Sequence, residues 1–298
     1  MKLIPSIIRP VILGLCSGLV LSAAAQSSGA PATVRVMSFN IRMSAAADGV
    51  NGWTHRREML FQTVRAFQPD LVGFQEVLAN QYDELSAQLP DYAFSGRARV
   101  DGQRKGEWAL LGFRRDRFRV VGQGDFWLSE QPAVIGSKSW DAMYPRICSW
   151  VRLGDAVAGG EFIFANTHFD HIGVVARQRA SELISRELSR LAGGRPAILT
   201  GDLNVTEDDP AYAVLVRPET LGAIRWRDAY RSLYPVRASG ELTFHAFAGH
   251  TEGWRIDYVL HTADFVPLAA TIDRTRSAAG YYPSDHYAVT AVLQVAQP

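Results

Sequence analysis

The stretch AILTGDLN, residues 197–204, shows how this chain is organised, because an apolar segment runs directly into an acid and an amide. The apolar part predicts a β-strand. Side chains alternate along a strand, so we expect Asp202 and Asn204 to lie on one face and Leu203 on the other. Gly201 makes a turn or a helix cap the alternative explanation for the two polar residues.

Polar residues end five other apolar segments of the chain. These ends read SFN at 38–40, QE at 75–76, NTHFD at 166–170, ID at 256–257 and SDH at 284–286. Each one alone has an ordinary structural explanation as a turn or a cap. Six such ends in one chain instead indicate strands that finish side by side, so that their polar side chains form one site.

Strand and helix patterns are interspersed along the rest of the sequence. Short apolar or alternating segments predict strands at 34–40, 70–76, 108–113, 118–121, 147–153, 162–167, 256–261 and 286–295. Apolar residues at helical spacing predict helices at 56–67 and 175–191. No repeat, low-complexity block or interdomain linker interrupts them, so we predict one α/β domain over residues 33–298.

The N-terminal segment has the pattern of a secretory signal. Lys2 and Arg9 precede or open an apolar run over 11–21, and three small alanines follow at 23–25. We predict a signal peptide over 1–25, cleaved after Ala25, a linker over 26–32, and a secreted or periplasmic protein. A retained anchor is the alternative, but the apolar run is shorter than the roughly 20 residues that span a bilayer, so we expect no stable membrane insertion after cleavage.

The charge balance bears on the class of substrate. Of the 31 basic residues, Lys2 and Arg9 leave with the signal, so 29 remain against 30 acidic residues and the net charge is about −1. Proteins that bind long nucleic acids usually use many Lys and Arg contacts to phosphates. A nucleic-acid partner is therefore not favoured by charge, although it stays an alternative.

The residue types in the polar clusters suit metal-assisted phosphoryl chemistry. Glu76, Asp285 and the amide of Asn40 offer hard oxygen ligands for Mg²⁺ or Mn²⁺. His168 and His286 can donate hydrogen bonds to anionic oxygens. A divalent metal with His and Asn donors stabilises a phosphoryl group under attack by water, so the economical hypothesis is hydrolysis of a phosphoester.

Six segments, in their order along the chain, resemble the endonuclease/exonuclease/phosphatase superfamily of metal-dependent phosphoesterases, which includes deoxyribonuclease I. They read MSFNIR, PDLVGFQEV, NTHFDH, LTGDLN, RIDYVL and SDHYAV, within residues 34–293. The segments WLSE, PRICSW, NTHFDHIGVVAR and TFHAF resemble an exported bacterial branch related to its deadenylase-like members. The resemblance implies an α/β fold, a four-layer sandwich of two mixed β-sheets flanked by helices, with the site where strand ends meet at one edge. It does not imply a substrate.

The resemblance also implies a role for each matching residue. Glu76 matches the principal metal ligand, Asn40 lies beside it, and Asp285 is a further ligand. Asp202 matches the carboxylate that orients or deprotonates the attacking water. Asn204 matches the amide that holds a phosphoryl oxygen.

Two histidines and an arginine complete the implied site. His286 matches the histidine paired with Asp257, which acts as general base or as a phosphate donor, and the sequence does not decide which. His168 matches a second phosphate-binding histidine, and Arg146 adds a cation for the phosphate. His171 is not included in the predicted site.

We expect a monomeric, metal-dependent enzyme that hydrolyses a phosphodiester or phosphomonoester of a small molecule, lipid or glycan. A secreted nuclease is the first alternative, with Trp140, Trp254, Tyr281 and Tyr282 near the motifs as residues that could stack bases. A glycoside hydrolase would use two of the carboxylates but leaves the Asn and His pattern unexplained. A non-catalytic binding protein on the same fold would normally have lost some of the catalytic identities.

Overall fold

The computed structural model describes residues 1–2, 32–217 and 223–296. The predicted signal peptide and linker lie almost wholly outside the described residues, so both stay predictions. Residues 32–217 and 223–296 belong to one compact unit. Within the described ranges, no helix combines the length and the hydropathy that crossing a membrane requires.

The described residues form twelve strands and five α-helices. The strands are β1 (Thr33–Asn40), β2 (Leu71–Val77), β3 (Tyr92–Ser95), β4 (Trp108–Arg114), β5 (Phe118–Trp127), β6 (Ile147–Asp155), β7 (Glu161–His168), β8 (Ala197–Asp202), β9 (Arg227–Asp228), β10 (Asp257–His261), β11 (Phe265–Asp273) and β12 (Ala288–Val295). The helices are α1 (Trp53–Phe67), α2 (Ala79–Gln88), α3 (Val174–Ala192), α4 (Pro210–Val216) and α5 (Ala229–Leu233). Each strand and helix predicted from the sequence is present, with shifted boundaries.

The strands form two mixed sheets. The first sheet has the order β11-β12-β1-β2-β4-β3 and the second the order β5-β6-β7-β8-β10-β9. β1 is parallel to β2, and β7 is parallel to β8. The other neighbouring pairs are antiparallel. The predicted pair of mixed sheets is therefore confirmed.

Three apolar clusters join four layers. The middle cluster packs the two sheets face to face, with Val36 of β1 and Phe164 of β7 among its members. On the outer face of the first sheet, Leu60 of α1 and Leu85 of α2 cover the strands. On the outer face of the second sheet, α3 contributes Ile184 and α4 also packs. The order helix, sheet, sheet, helix confirms the predicted four-layer sandwich.

Polar side chains interrupt the apolar packing between the two sheets at one point. The carbonyl of Asn166 accepts hydrogen bonds from Gln75 Nε2 at 2.7 Å and Thr200 Oγ1 at 3.1 Å. Its amide donates to the backbone oxygens of Phe74 and Leu110 at 2.8 and 3.1 Å. Gln75 and Asn166, which the sequence pattern grouped with the polar strand ends, are thus fully buried between the sheets and do not belong to the site.

Gly73 of β2 allows the sheets to approach closely here. A Cβ atom at this position would lie 2.0 Å from Thr200 Oγ1 and 2.6 Å from Asn166 Oδ1. We expect Gly73→Ala to lower the free energy of unfolding by about 2 kcal/mol or more, because an overpacked interior must shift its backbone or its rotamers. Urea titration measures the effect. The control is Gly122→Ala in β5, where the nearest atom is 3.7 Å away, and an equal loss in both variants would contradict the close approach.

Candidate active site

One edge of the sandwich collects the polar strand ends. The parallel pair β1 and β2 ends at this edge, and so does the parallel pair β7 and β8. β10 begins there, because it runs antiparallel to β8 with Asp257 opposite Asp202. β12 begins there as well, antiparallel to β1. A hydrogen bond of 2.9 Å from Asn40 Nδ2 to Asp202 Oδ2 joins the two sheets at this edge.

A cavity of about 360 Å³ opens at the same edge, within the size range of small-molecule sites. Seven of the predicted site residues line it: Glu76, Arg146, His168, Asp202, Asn204, Asp285 and His286. Asn40 and Asp257 are fully buried behind this wall. Two cavities of similar size, beside α3 and α1, contain none of the predicted site residues.

His286 lies between two buried carboxylates. Its Nδ1 is 2.9 Å from Asp257 Oδ2, and its Nε2 is 3.7 Å from Asp202 Oδ2. Burial opposes the charged imidazolium, but the two carboxylates outweigh it and raise the pKa of His286 to about 10. The pairing with Asp257 that the resemblance implied is present, and His286 is a cation at neutral pH.

Asp202 occupies the centre of this group. Burial and the negative charge of Asp257 raise the pKa of Asp202 to about 7, against the opposing effects of His286 and of the hydrogen bond from Asn40. A carboxyl group that titrates near neutral pH has the proton affinity that suits a general base.

His168 lies on the other side of Asp202. Its Nε2 is 3.6 Å from Asp202 Oδ2, and its Nδ1 is 3.7 Å from Glu107 Oε2. Burial, together with the positive charges of Arg146 and Arg99, holds the pKa of His168 well below its usual range. His168 is therefore a neutral imidazole, which donates a hydrogen bond from one nitrogen only.

A β-bulge positions Glu76 at the cavity. The register between β2 and β4 shifts between Phe74 and Val77, and Glu76 has a left-handed φ of 62°. Its Oε1 accepts from Asn40 Nδ2 at 3.2 Å, and its Oε2 accepts from the backbone N–H of Met43 at 3.0 Å. A left-handed backbone is costly for a residue with a side chain, and such positions concentrate at functional sites.

The oxygen groups at this part of the cavity fit a hard divalent cation. Burial and the negative charge of Glu76 raise the pKa of Asp285, against the opposing effect of His286. A cation beside Asp285 would offset the burial and the charge of Glu76 that oppose its ionisation, and an all-oxygen donor set suits Mg²⁺ or Mn²⁺. Glu76 and Asp285 are therefore the residues that would hold the metal.

The side chain of Asn40, which was predicted as a metal ligand, makes three hydrogen bonds within the protein. Its Oδ1 accepts from the backbone N–H of Arg42 at 3.0 Å, and its amide nitrogen faces Glu76 and Asp202. In this arrangement Asn40 orients the two carboxylates, and ligation through Oδ1 would require the amide to rotate.

A second candidate group of metal ligands has one atom each from Asp202, Asp257 and His286 within 4.8 Å of one another. Because Asp257 and His286 already hydrogen-bond to each other, we interpret this group as a hydrogen-bonded chain and not as the cation site.

Asn204 reaches the cavity by a different route from the one predicted. β8 ends at Asp202, and Asn204 follows with a left-handed φ of 50°, which asparagine tolerates better than most residues. Its backbone N–H donates to Asp202 Oδ1 at 2.9 Å, and its Nδ2 donates to the backbone oxygen of Phe169 at 3.0 Å. The prediction that strand alternation places Asn204 beside Asp202 is therefore wrong, because a turn brings it there.

Asp170, which alternation grouped with the site, is not among the residues that line the cavity. Its carboxylate accepts four backbone hydrogen bonds, from the N–H groups of Met143, Tyr144, Ile172 and Gly173. Burial opposes its ionisation, but these bonds lower the pKa of Asp170 to about 2. Asp170 thus fastens together two loops that carry cavity residues.

We expect Asp170→Asn to lower the free energy of unfolding by about 2 kcal/mol at pH 7, because a neutral amide oxygen replaces a charged acceptor of four N–H groups. The folded-state pKa lies below the unfolded value of about 3.9, so this stabilisation is present above that value and is lost as pH falls towards 2. The difference between wild type and variant should therefore narrow below about pH 4 in urea titrations at several pH values. A pH-independent difference would contradict the role of the ionised carboxylate.

Six charged or aromatic residues of the cavity were not predicted: Arg42, Arg99, Glu107, Tyr144, His171 and Phe244. Three of them lie inside recognised motifs, since Arg42 ends MSFNIR, His171 ends NTHFDH and Phe244 lies in TFHAF. His171, which was not included in the predicted site, lines the cavity, and its Nδ1 lies 3.2 Å from Arg146 Nη2. The other three lie on loops that no motif marks.

Comparison with known proteins finds a matching family and similar structures. The model of the endonuclease/exonuclease/phosphatase family matches residues 37–286. Nocturnin from Drosophila melanogaster is 24% identical over 286 residues, which cover 83% of this chain and 42% of that protein. The chain thus spans less than half the length of the curated relatives it matches.

Two solved bacterial structures are similar over nearly the whole chain. An endonuclease/exonuclease/phosphatase from Bacteroides vulgatus superposes with a TM-score of 0.81 at 35% identity, covering 89% of this chain and 99% of the other. A mannosyl-6-phosphatase from Bacteroides thetaiotaomicron gives a TM-score of 0.79 at 34% identity, covering 87% and 99%.

Proposed function

The chain belongs to the endonuclease/exonuclease/phosphatase family, whose members hydrolyse phosphoric esters and are generally divalent-metal dependent, and we propose that it is an exported phosphomonoesterase for a small phosphorylated sugar. Mg²⁺ or Mn²⁺ is the proposed cofactor. The observation that carries the proposal is a cavity of small-molecule size that combines the Asp202 and His286 group with a buried arginine. The similarity to a mannosyl-6-phosphatase supports the class of substrate.

Arg146 is the buried arginine that favours a monoester. Its nearest carboxylates, Asp170 Oδ2 at 3.6 Å and Glu107 Oε2 at 3.9 Å, lie beyond hydrogen-bond distance. Its Nε and Nη1 make no hydrogen bond to any described residue. A terminal phosphate carries about −1.5 to −2 charges at pH 7 and accepts paired hydrogen bonds from a guanidinium. A diester carries one charge less, so this cation gains more from a monoester.

The geometry supports the following proposal for the proton transfers. The carboxylates of Asp257 and Asp202, 2.9 and 3.7 Å from the two ring nitrogens, raise the pKa of His286 to about 10, so both nitrogens hold protons at neutral pH and neither accepts one. Asp202 is then the base that takes a proton from the attacking water. His286, Asn204 and Arg146 donate to the phosphoryl oxygens as charge develops on them. A metal held by Glu76 and Asp285 would neutralise further phosphoryl charge when bound.

Hydrolysis of a substrate panel tests this function. The panel contains glucose 6-phosphate, mannose 6-phosphate, p-nitrophenyl phosphate, bis(p-nitrophenyl) phosphate and single-stranded DNA and RNA. We expect kcat/KM for monoesters to exceed that for diesters by about tenfold or more, and EDTA to abolish both activities. A preference for diesters or for polynucleotides would overturn the proposal.

A nuclease would need a surface for the flanking nucleotides. The four aromatic residues considered for base stacking, Trp140, Trp254, Tyr281 and Tyr282, are not among the residues that line the cavity. Cleavage of the DNA or RNA in the panel at rates above the monoesters would nevertheless establish that function.

Export is proposed from the N-terminal sequence alone. Full-length protein expressed in a Gram-negative host should appear in the periplasmic fraction with Gln26 as its first residue, which intact-mass measurement determines. Ala25→Arg, which puts a large charged residue at the predicted cleavage site, should leave the precursor uncut. Unprocessed wild-type protein in the cytoplasm would contradict export.

A further inference from the structure

The hairpin of β3 and β4 lies beside the active-site cavity, and the segment between these two strands carries an ion pair that the proposed chemistry does not use. The backbone N–H of Arg99 donates to the backbone oxygen of Glu107 at 2.9 Å, so the two residues face each other across the neck of the hairpin. Arg99 Nη1 and Nη2 donate to the two carboxylate oxygens of Glu107 at 2.7 and 2.6 Å. Both residues are buried, and both line the cavity.

The pair lies one side chain away from the reacting groups. Glu107 Oε2 is 3.7 Å from His168 Nδ1, and His168 Nε2 is in turn 3.6 Å from Asp202 Oδ2. The alcohol part of an ester whose phosphate lies beside His168, with the attacking water at Asp202, would therefore lie within reach of Glu107 and Arg99.

Stability alone gives little reason for a charged pair at this place. Buried ion pairs contribute little net stability, because removing both charges from water costs about as much as their attraction returns. Arg99 Nε and His168 Nδ1 have no hydrogen-bond partner among the described residues. A carboxylate next to unpartnered nitrogens suits hydroxyl groups, since a hydroxyl both donates and accepts.

Tyr144 adds an aromatic ring to this wall. The residue is 43% exposed, and its ring lies parallel to His171 with centroids 6.0 Å apart and an interplanar angle of 18°. The Arg99 guanidinium carbon is 5.2 Å from the centre of the same ring. A hydrogen bond of 3.1 Å from the backbone N–H of Tyr144 to Asp170 Oδ2 holds the loop in place. Groups held in place before binding lose less entropy when a ligand binds.

We propose that Arg99, Glu107 and Tyr144 form a subsite for the sugar part of a phosphomonoester. Arg99 and Glu107 bind neighbouring hydroxyls, and Tyr144 packs against the C–H groups of the sugar ring. These residues determine specificity and take no part in breaking the P–O bond. The inference rests on the proposed function and specifies its substrate class as a polyhydroxylated alcohol.

Equilibrium binding tests the subsite without turnover. In an Asp202→Asn background with Mg²⁺, calorimetry compares mannose 6-phosphate and glucose 6-phosphate with inorganic phosphate. We expect at least one sugar phosphate to bind about tenfold or more tightly than phosphate, the effect of one or two added hydrogen bonds. The double variant Arg99→Met/Glu107→Leu, which leaves no isolated buried charge, should abolish that difference, and Tyr144→Leu should reduce it. Equal binding of all ligands, or an unchanged difference in the double variant, would overturn the subsite.

A matched control variant and hydrolysis assays complete the binding experiment. Arg104 lies in the same hairpin, but it is 58% exposed and pairs with Asp83, so Arg104→Met should leave the binding difference unchanged. Preferential binding of a sugar phosphate without hydrolysis of any monoester would refute the proposed function and retain the subsite. Metal-dependent hydrolysis of p-nitrophenyl phosphate without preferential binding of a sugar phosphate would retain the phosphomonoesterase activity and refute the subsite.

Discussion

Replacement of Asp202 by asparagine is expected to lower kcat/KM by about 10³-fold or more while the protein stays at least as stable as wild type. The loss follows because an amide cannot take a proton from water, and a positioned base contributes about 10²–10⁴-fold. The retained stability follows from the environment of the group. Burial and Asp257 raise the pKa of Asp202 above its unfolded value, so the ionised carboxylate destabilises the folded state once pH exceeds about 3.9.

The effect of Asp202→Asn on the melting temperature should depend on pH. Measured in EDTA, the melting temperature of Asp202→Asn should equal that of wild type below about pH 4 and exceed it at pH 7, where the wild-type carboxylate carries more charge. The control is Asp208→Asn, which removes an exposed carboxylate downstream of β8 and should retain activity. An active Asp202→Asn would remove Asp202 from the role of base, and a variant less stable than wild type at pH 7 would contradict the predicted effect of its charge on stability.

The sequence predicts the centre of each sheet better than its edges. Strands covered on both faces appear as apolar runs, and those in the middle of the sheets were predicted. β3 and β11 at the edges of the first sheet and β9 at an edge of the second were not predicted, and β5 was predicted too short. Edge strands alternate between buried and exposed residues or are very short, as the burial pattern along β11 illustrates. Their residues therefore carry a weaker apolar signal.

The sequence predicts which side chains meet at the cavity where a strand end places them. Asp202, Asp257 and His286 lie at or beside strand ends, and topology alone brings them to one edge. Arg99 and Tyr144 reach the same cavity through loops whose paths depend on a hairpin pairing and on the bonds to Asp170, and local spacing does not encode either. Backbone geometry is a second source of error. Asn204 follows the end of β8 in a left-handed turn, so the alternation of side chains along a strand does not apply to it.

Glu76→Gln is expected to weaken Mg²⁺ binding by about 10–100-fold or more, an effect comparable with or larger than the loss of groups that support metal ligands. The variant keeps the size of the side chain and an oxygen that can accept from Asn40 or from the backbone N–H of Met43, so its fold should persist. In wild type, a ligand that binds only the folded state raises stability by RT ln(1 + [Mg²⁺]/Kd), about 2.7 kcal/mol at 100 times Kd. Melting temperatures with Mg²⁺ and with EDTA therefore report binding independently of activity.

The same measurement distinguishes the two groups of carboxylates at the site. If Glu76 and Asp285 hold the cation, Glu76→Gln and Asp285→Asn should each lose most of the Mg²⁺-dependent rise in melting temperature. Asp257→Asn should retain that rise, because Asp257 hydrogen-bonds to His286 and lies behind the cavity wall. Glu84→Gln, which removes a charge paired with Arg57 on the surface, controls for the loss of a carboxylate as such. The reverse result, with the rise lost only in Asp257→Asn, would place the metal between Asp202, Asp257 and His286 and would leave Glu76 as a residue that only positions Asn40.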